Sequence, residues 1–380
     1  MRRTWIAPAV LGIALSVAAP AGAAVTPRWH RYQVPVEGKA NLVGVAAVAR
    51  DDAWAAGFLV KISGSAARRA KALTCFGQNA FPSLMLRWNG HTWRQVQVPN
   101  VGRINYLSAS SSTDVWASAD CGLLHWDGHQ WTQVSYATMP AQQNSQGDIK
   151  TLGAKDAWLV GGTYDNRTQV SRGFVQRWDG RQWHIVRLPA LGDDFSLDSI
   201  DVRSPRDVWA VGTDYTGNTS HAEPLVLLHW NGRSWKRLPS PPTGEQTNRL
   251  SKVGAFAAND VWIAGWGKTK PDWDQPRRPL MLHWNGRRWS SAPTPAGPGE
   301  LYDVARDRRT LLATGDTFSP ANPSFTMYAL RWTGSHWTPG PVPATGPGSV
   351  SALAPIPGGG MWGVGAVGDN NPYPVIARLG

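Results

Sequence analysis

The chain has 380 residues, 42% of them hydrophobic and 17% charged, with a formal net charge of +12 and two cysteines. That length exceeds what one hydrophobic core organises, and two cysteines exclude a disulfide framework. The positive balance favours acidic partners, but arginine is scattered along the chain and never forms a basic run, so no specific nucleic-acid contact is expected.

In chain order, Met1 to Ala24 reads as a secretory signal peptide. Arg2 and Arg3 begin it, Ile6 to Ala19 is mostly apolar, and Ala21-Gly22-Ala23 offers a small-x-small cleavage pattern. The apolar stretch is shorter than the roughly 20 residues a spanning helix needs, and Pro8 and Pro20 interrupt it. A secreted, extracellular chain with no membrane span after cleavage is the expectation. Residues 25–380 then form one domain.

Internal repetition decides the fold. The phrase Asp-(Val/Ala)-Trp-x-x-(Gly/Ala) surrounds Trp54, Trp116, Trp158, Trp209 and Trp262, with weaker copies at Leu312 to Gly315 and Trp362 to Gly365. A second phrase, Trp-(Asn/Asp/Thr)-Gly-x-x-Trp, follows each of the first six. Its pairs run from Trp88/Trp93 to Trp332/Trp337. Each unit reads as four strands. Leu197 to Val202 alternates as an inner strand, and Val208 to Val211 follows the turn at Ser204 to Asp207. Leu225 to Trp230 is the third strand, and Trp235 to Leu238, stopped by Pro239, is the fourth. Taken as a two-residue hairpin turn, Asn89-Gly90 pairs Trp88 with His91 and Leu86 with Trp93. Leu86, Trp88 and Trp93 then share one blade face, where they fill the space between neighbouring sheets.

The seventh unit ends at Val375 to Leu379 without a fourth strand, while Trp29 to Pro35 matches Trp93 to Pro99 at the other terminus. Because sheet edges need partners, the expectation is an all-β, seven-bladed β-propeller of four-stranded antiparallel blades, the last closed by the N-terminal strand. The repeat resembles kelch-type propellers: Trp158-Leu159-Val160-Gly161-Gly162 matches their second strand, and Trp183 and its equivalents match the fourth-strand aromatic. Most copies carry one glycine where that family has two. The resemblance implies a fold, not an activity.

Connections between second and third strands vary in length (57–83, 161–173, 212–224, 265–279, 315–325 and 365–373), whereas the opposite face has short uniform turns. Binding residues concentrate on variable loops over a rigid scaffold. The candidate ligand-binding residues are therefore Tyr164, Asp214, Tyr215, His221, Trp266, Asp272, Trp273, Asp274 and Tyr373. Nineteen of the 22 tryptophans fall on repeat positions, which leaves Trp266 and Trp273 as the mature chain's exceptions. Aromatics beside carboxylates suit a sugar ring. His125, His229 and His283 recur before the third-strand tryptophan and read as repeat grammar.

No catalytic or metal-ligand motif is present, and the ring of Asp120, Asp214, Asp316 and Asp369 lacks the dense Asp-x-Asp-x-Asp loop of a Ca²⁺ site. No cofactor or metal is expected. Cys75 and Cys121, in the corresponding connections of adjacent blades, are placed to form one disulfide. Two function classes remain. One is a recognition protein for a glycan, an acidic cell-surface polymer or a protein partner in a secreted complex. The other is a secreted carbohydrate-active or oxidative enzyme, which would need a convergent constellation on the long-loop face.

Overall fold

The computed structural model describes residues 27–60, 81–139, 143–215, 225–270, 275–319, 322–368 and 372–380. The signal-peptide reading lies outside them, as do Cys75, His221, Asp272, Trp273 and Asp274. Among the described residues no helix is long and apolar enough to cross a membrane.

Seven four-stranded antiparallel sheets form the molecule. Blade 4 shows the plan, with Ser199–Ser204 innermost, then Asp207–Thr213, Leu225–Trp230 and Trp235–Arg237 outermost. Inner strands of successive blades pack on one another, and the inner strand of blade 7, Gly348–Pro355, packs on that of blade 1, Ala40–Ala47. The ring closes as the sequence implies. Trp29 pairs with Leu379 and Tyr32 with Ile376, so Trp29–Tyr32 becomes the outer strand of blade 7.

The hairpin turns correct the expected register. Trp88 faces Trp93 directly and Leu86 faces Gln95, so the turn has four residues, not two. The cause is the side chain of Asn89, whose Oδ1 accepts the N–H groups of His91 and Thr92 at 3.0 and 2.9 Å. That Asx turn replaces a tight backbone hairpin. Asp127, Asp179, Asn231 and Asn285 do the same in later blades. The three residues still share one face, as expected.

Tryptophans hold the blades together. Each second-strand indole lies against the tryptophan pair of the next blade. Trp54 meets Trp126 and Trp131 with centroids 5.2 and 5.3 Å apart, and Trp262 meets Trp332 and Trp337 at 4.8 and 5.2 Å. Across the closure, Trp362 of blade 7 meets Trp88 and Trp93 of blade 1. Tilted and edge-on pairs of this kind add to the area they bury.

The recurring histidines belong to this scaffold. His125, His229 and His283 each stack on the second-strand tryptophan at 4.2–4.3 Å. Their Nε2 atoms lie 2.8–3.0 Å from Asp114, Asp207 and Asp260. In blades 1 and 3 Arg87 and Arg177 take the same place, each in a two-bond contact with Asp52 or Asp156 over Trp54 or Trp158. The Asp–His pair thus recurs as a device that ties the second strand to the third.

Candidate functional site at the channel mouth

The second-to-third-strand connections and the connections between blades emerge on one face. Backbone bonds join them there, from Tyr215 N–H to Asp194 O (2.8 Å) and from Gly299 N–H to Arg277 O (2.8 Å). Several expected loops prove to be strand extensions. In blade 3 Asp156–Asp165 and Val170–Trp178 pair as far as Asp165↔Val170, so most of 161–173 is hairpin. In blade 5 the second strand runs to Lys268 and the third starts at Arg278. The variable segments therefore project from the disc on paired backbone.

Where this face meets the ring axis lies a cavity of about 620 Å³. Its rim is set by the inner strands. Val43, Asn105, Asp198, Ser251 and Ser351 each precede their blade's second-strand tryptophan by eleven residues, and Tyr302 occupies the matching place in blade 6. In five blades a glycine on the second strand lets the inner strand approach this closely, and blade 2 has Ala119 in that place. A Cβ at Gly57, Gly212, Gly265, Gly315 or Gly365 would lie 1.9–2.0 Å from an inner-strand carbonyl oxygen. The inner strands bulge there, with register shifts at Leu250/Lys252 and Leu301/Asp303.

Blade 5 contributes the cationic and aromatic side of the mouth. Arg249 and Trp266 are direct cross-strand neighbours and both line the cavity. Arg249 donates to the Tyr215 hydroxyl, its guanidinium carbon 5.0 Å from that ring, and Tyr215 in turn lies 3.2 Å from Ser196 Oγ. Trp266 is half-buried, with the Arg277 guanidinium 4.4 Å from its ring centroid, and Arg277 is paired with Glu300. Tyr302 donates to Asp316 Oδ2 at 2.9 Å. Burial, reinforced by Glu300, pushes the Asp316 carboxyl up to about 7 against the opposing Tyr302 hydrogen bond. Asp198 receives a 3.0 Å bond from Ser196 Oγ. Burial pushes it up to about 6, and Arg249 and Ser196 oppose that shift.

Beneath the mouth, Lys252 Nζ bonds Asp148 at 2.7 Å, and Asp148 also takes the Ser199 hydroxyl at 2.7 Å. Desolvation works against the Lys252 charge, but Asp148, Asp303 and Asp201 outweigh it and raise its pKa. Asp303 accepts backbone N–H groups of Val304 and of Leu353 in the next blade, both at 2.7 Å. These groups lace blades 3 to 7 together around the axis. Lys252, Tyr106 and Asp303 also border a second cavity of about 430 Å³ that continues down the channel.

Of the residues singled out in the sequence, the structure brings Trp266 and Tyr215 to the mouth. Tyr164 lies on the blade-3 hairpin, its hydroxyl bonded to Gln169 at 2.6 Å, and Tyr373 is 55% exposed at the start of the third strand of blade 7. Asp214 is 4% exposed and pairs with Arg237 at 2.9 Å, so its carboxylate is turned inward and braces blade 4. Cys121 occupies the short second-to-third turn of blade 2 and packs against that blade's core. Asp198, Arg249, Lys252 and Tyr302 escaped the sequence reading, which looked only at loops. Of these four, only Asp198 lies eleven residues before a repeat tryptophan, so repeat spacing points to it and not to the others.

No protein-family model and no curated protein matches the sequence. Solved structures do resemble the fold. YCF48 bound to a D1 peptide is 15% identical with a TM-score of 0.55, over 92% of this chain and 96% of that one. A PL25 ulvan lyase bound to -[GlcA(1-4)Rha3S]- is 11% identical with a TM-score of 0.55, over 92% and 96%. The GH74 xyloglucanase of Xanthomonas campestris is 17% identical with a TM-score of 0.53, over 89% of this chain and 53% of that one. At such identities the likeness establishes the propeller and nothing finer, and the kelch resemblance rests on the repeat phrase alone.

Proposed function

We propose that this chain is an exported recognition propeller that binds a glycan or acidic polymer at the channel mouth of its long-loop face. The observation that carries the reading is the Arg249–Trp266 pair, which lines an open cavity. Among the described residues Arg249 bonds the Tyr215 hydroxyl and forms no ion pair with a carboxylate. An aromatic ring covers the apolar face of a sugar, and a guanidinium fork takes an anion or a ring hydroxyl. The similar folds include a peptide binder and polysaccharide-acting enzymes, and the cation-plus-indole chemistry favours the glycan. Turnover is not expected. Glycoside hydrolysis takes two carboxylates flanking the bond, and Glu300 and Asp316, at 2% and 3% exposed, are too enclosed to supply a partner for Asp198 at the mouth.

The test is a panel of neutral, carboxylated and sulfated oligosaccharides screened for binding and hydrolysis, with Arg249→Gln and Trp266→Ala beside the wild type. Binding lost in both variants, with no products formed, is the expected result. Undiminished binding in both variants would move the site elsewhere, and product formation would replace recognition with catalysis.

A further inference from the structure

Asp198 lies on the mouth rim in a position that matters for any charged ligand. Arg249 acts on it from blade 5 and Tyr106 lies near it from blade 2, while Lys252 of blade 5 and Tyr302 and Asp303 of blade 6 line the same cavity, and Asp148 of blade 3 lies beneath, against Lys252 and Tyr106. Most of these charges are already neutralised. Lys252 is held by Asp148, and both oxygens of Asp303 accept backbone N–H groups. Arg249 and Asp198 are the pair left facing the cavity without a direct bond to each other. An anion drawn to Arg249 would therefore meet the Asp198 carboxylate, and two like charges in a partly desolvated site cannot both stay ionised cheaply.

We propose that the mouth binds an anionic group carried on a sugar ring, and that binding takes up one proton from solvent onto Asp198. The inference rests on the glycan reading. The neutral carboxyl donates its O–H to the ligand's carboxylate or sulfate oxygen, while Arg249 supplies the compensating charge and Trp266 the apolar surface. The net reaction is ligand anion plus one proton to complex, with no bond broken in the sugar. Burial already brings Asp198 to about 6, so protonation is within reach of mildly acidic solution. The sign follows: the carboxyl is ready below that value and must be protonated on binding above it, so affinity falls as pH rises.

Calorimetry on the full chain, in buffers of different ionisation enthalpy, reads both affinity and proton uptake. The probes are an oligogalacturonate for carboxylate, a dextran sulfate oligomer for sulfate and cellohexaose as a neutral control. For an anionic probe, the dissociation constant should weaken about 10- to 30-fold between pH 5 and 7.5, the range that linkage to one such group gives. Proton uptake near one per site should accompany binding at pH 7.5. Asp198→Asn mimics the neutral acid, so it should bind about as well at pH 7.5 as the wild type does at pH 5, with no uptake. Arg249→Gln should abolish binding of the anionic probe. If Arg249-dependent binding persists but Asp198→Asn keeps the wild-type pH profile, the proton linkage is wrong and the glycan reading stands. Equal, pH-independent binding of cellohexaose likewise overturns the anion and spares the glycan. Failure of all three probes to bind at pH 5 overturns both.

Discussion

Trp235 is 5% exposed and stands edge-on to Trp158 of the preceding blade, whereas Trp266 is half-buried at the channel mouth beneath the Arg277 guanidinium. Burial separates the two roles that one residue type plays here. Trp235→Ala empties a packed site between blades and should cost about 3–5 kcal/mol in equilibrium unfolding. Trp266→Ala removes a ring already open to the cavity, so its cost should stay near or below about 1 kcal/mol, while glycan binding is lost. Denaturant titration of both variants against one binding assay checks the pair. A Trp266→Ala protein that unfolds as early as Trp235→Ala and still binds would make Trp266 a packing residue. Asp214 shows how a residue type misleads when read alone: a loop aspartate beside Tyr215 looks ligand-facing, yet Arg237, 23 residues on, turns it inward. Nothing local in the sequence announces that pairing.

At the scale of the strand, the glycine that ends the Trp-x-x-Gly phrase is a steric requirement where the inner-strand carbonyl comes closest, as in blade 4, although blade 2 accommodates Ala119 at the same position. A Cβ at Gly212 would sit 1.9 Å from Ser196 O and 2.9 Å from Leu197 Cα, and backbone atoms cannot swing aside. Gly212→Ala should therefore displace the Ser196–Asp198 segment, whose N–H groups bond Thr213 O and Val211 O and place Asp198 on the rim, with a cost of about 1–3 kcal/mol or more. Gly153→Ala, where nothing lies within 4 Å, should be nearly neutral. Comparing the two melting curves and their binding tests the claim, and equal melting would sink it.

Repetition made this level legible. Seven copies of one phrase gave the blades, the tryptophan face and the strand order, because periodic burial is written directly into residue type. The turn register was not legible, since Asn89-Gly90 serves equally a two-residue hairpin and the observed Asx turn, and only the bonds to His91 and Thr92 decide between them. The rim was hidden for another reason. Its residues differ from blade to blade, from Val43 to Asp198 to Tyr302, so they carry no motif and emerge only once the strands are aligned around an axis.

For the whole molecule, the ring is only as strong as its weakest seam, and that seam lies between blades 6 and 7. Blade 6 carries Leu312 where the six others have a second-strand tryptophan, and blade 7 offers Leu379 and Trp29 where the others have a tryptophan pair. Trp29 compensates. Its indole N–H reaches Pro341 O of the blade-6 end at 2.9 Å, and its ring lies on Gly363, where a Cβ would come within 2.7 Å of it. Tyr32, three residues further on and so on the opposite face of the strand, stands edge-on to both Trp362 and Trp88 at 5.1 Å, tying blade 7 to blade 1. One short strand thus bridges both seams that join the two ends of the chain. Deleting residues 27–36 should remove both bridges at once and leave Tyr373–Leu379 as an unpaired edge. The expected result is a lower unfolding midpoint with a shallower transition, since the ring can then open at blade 7 before the other blades unfold, and a tendency to associate through the bare edge. A synthetic peptide of residues 27–36 added in excess should restore the midpoint, because the missing strand supplies main-chain pairing as well as the two rings. If the truncated protein unfolds like the parent, closure by this strand contributes nothing to stability. If it is destabilised but the peptide gives no recovery, the loss comes from something other than strand pairing at the ring closure.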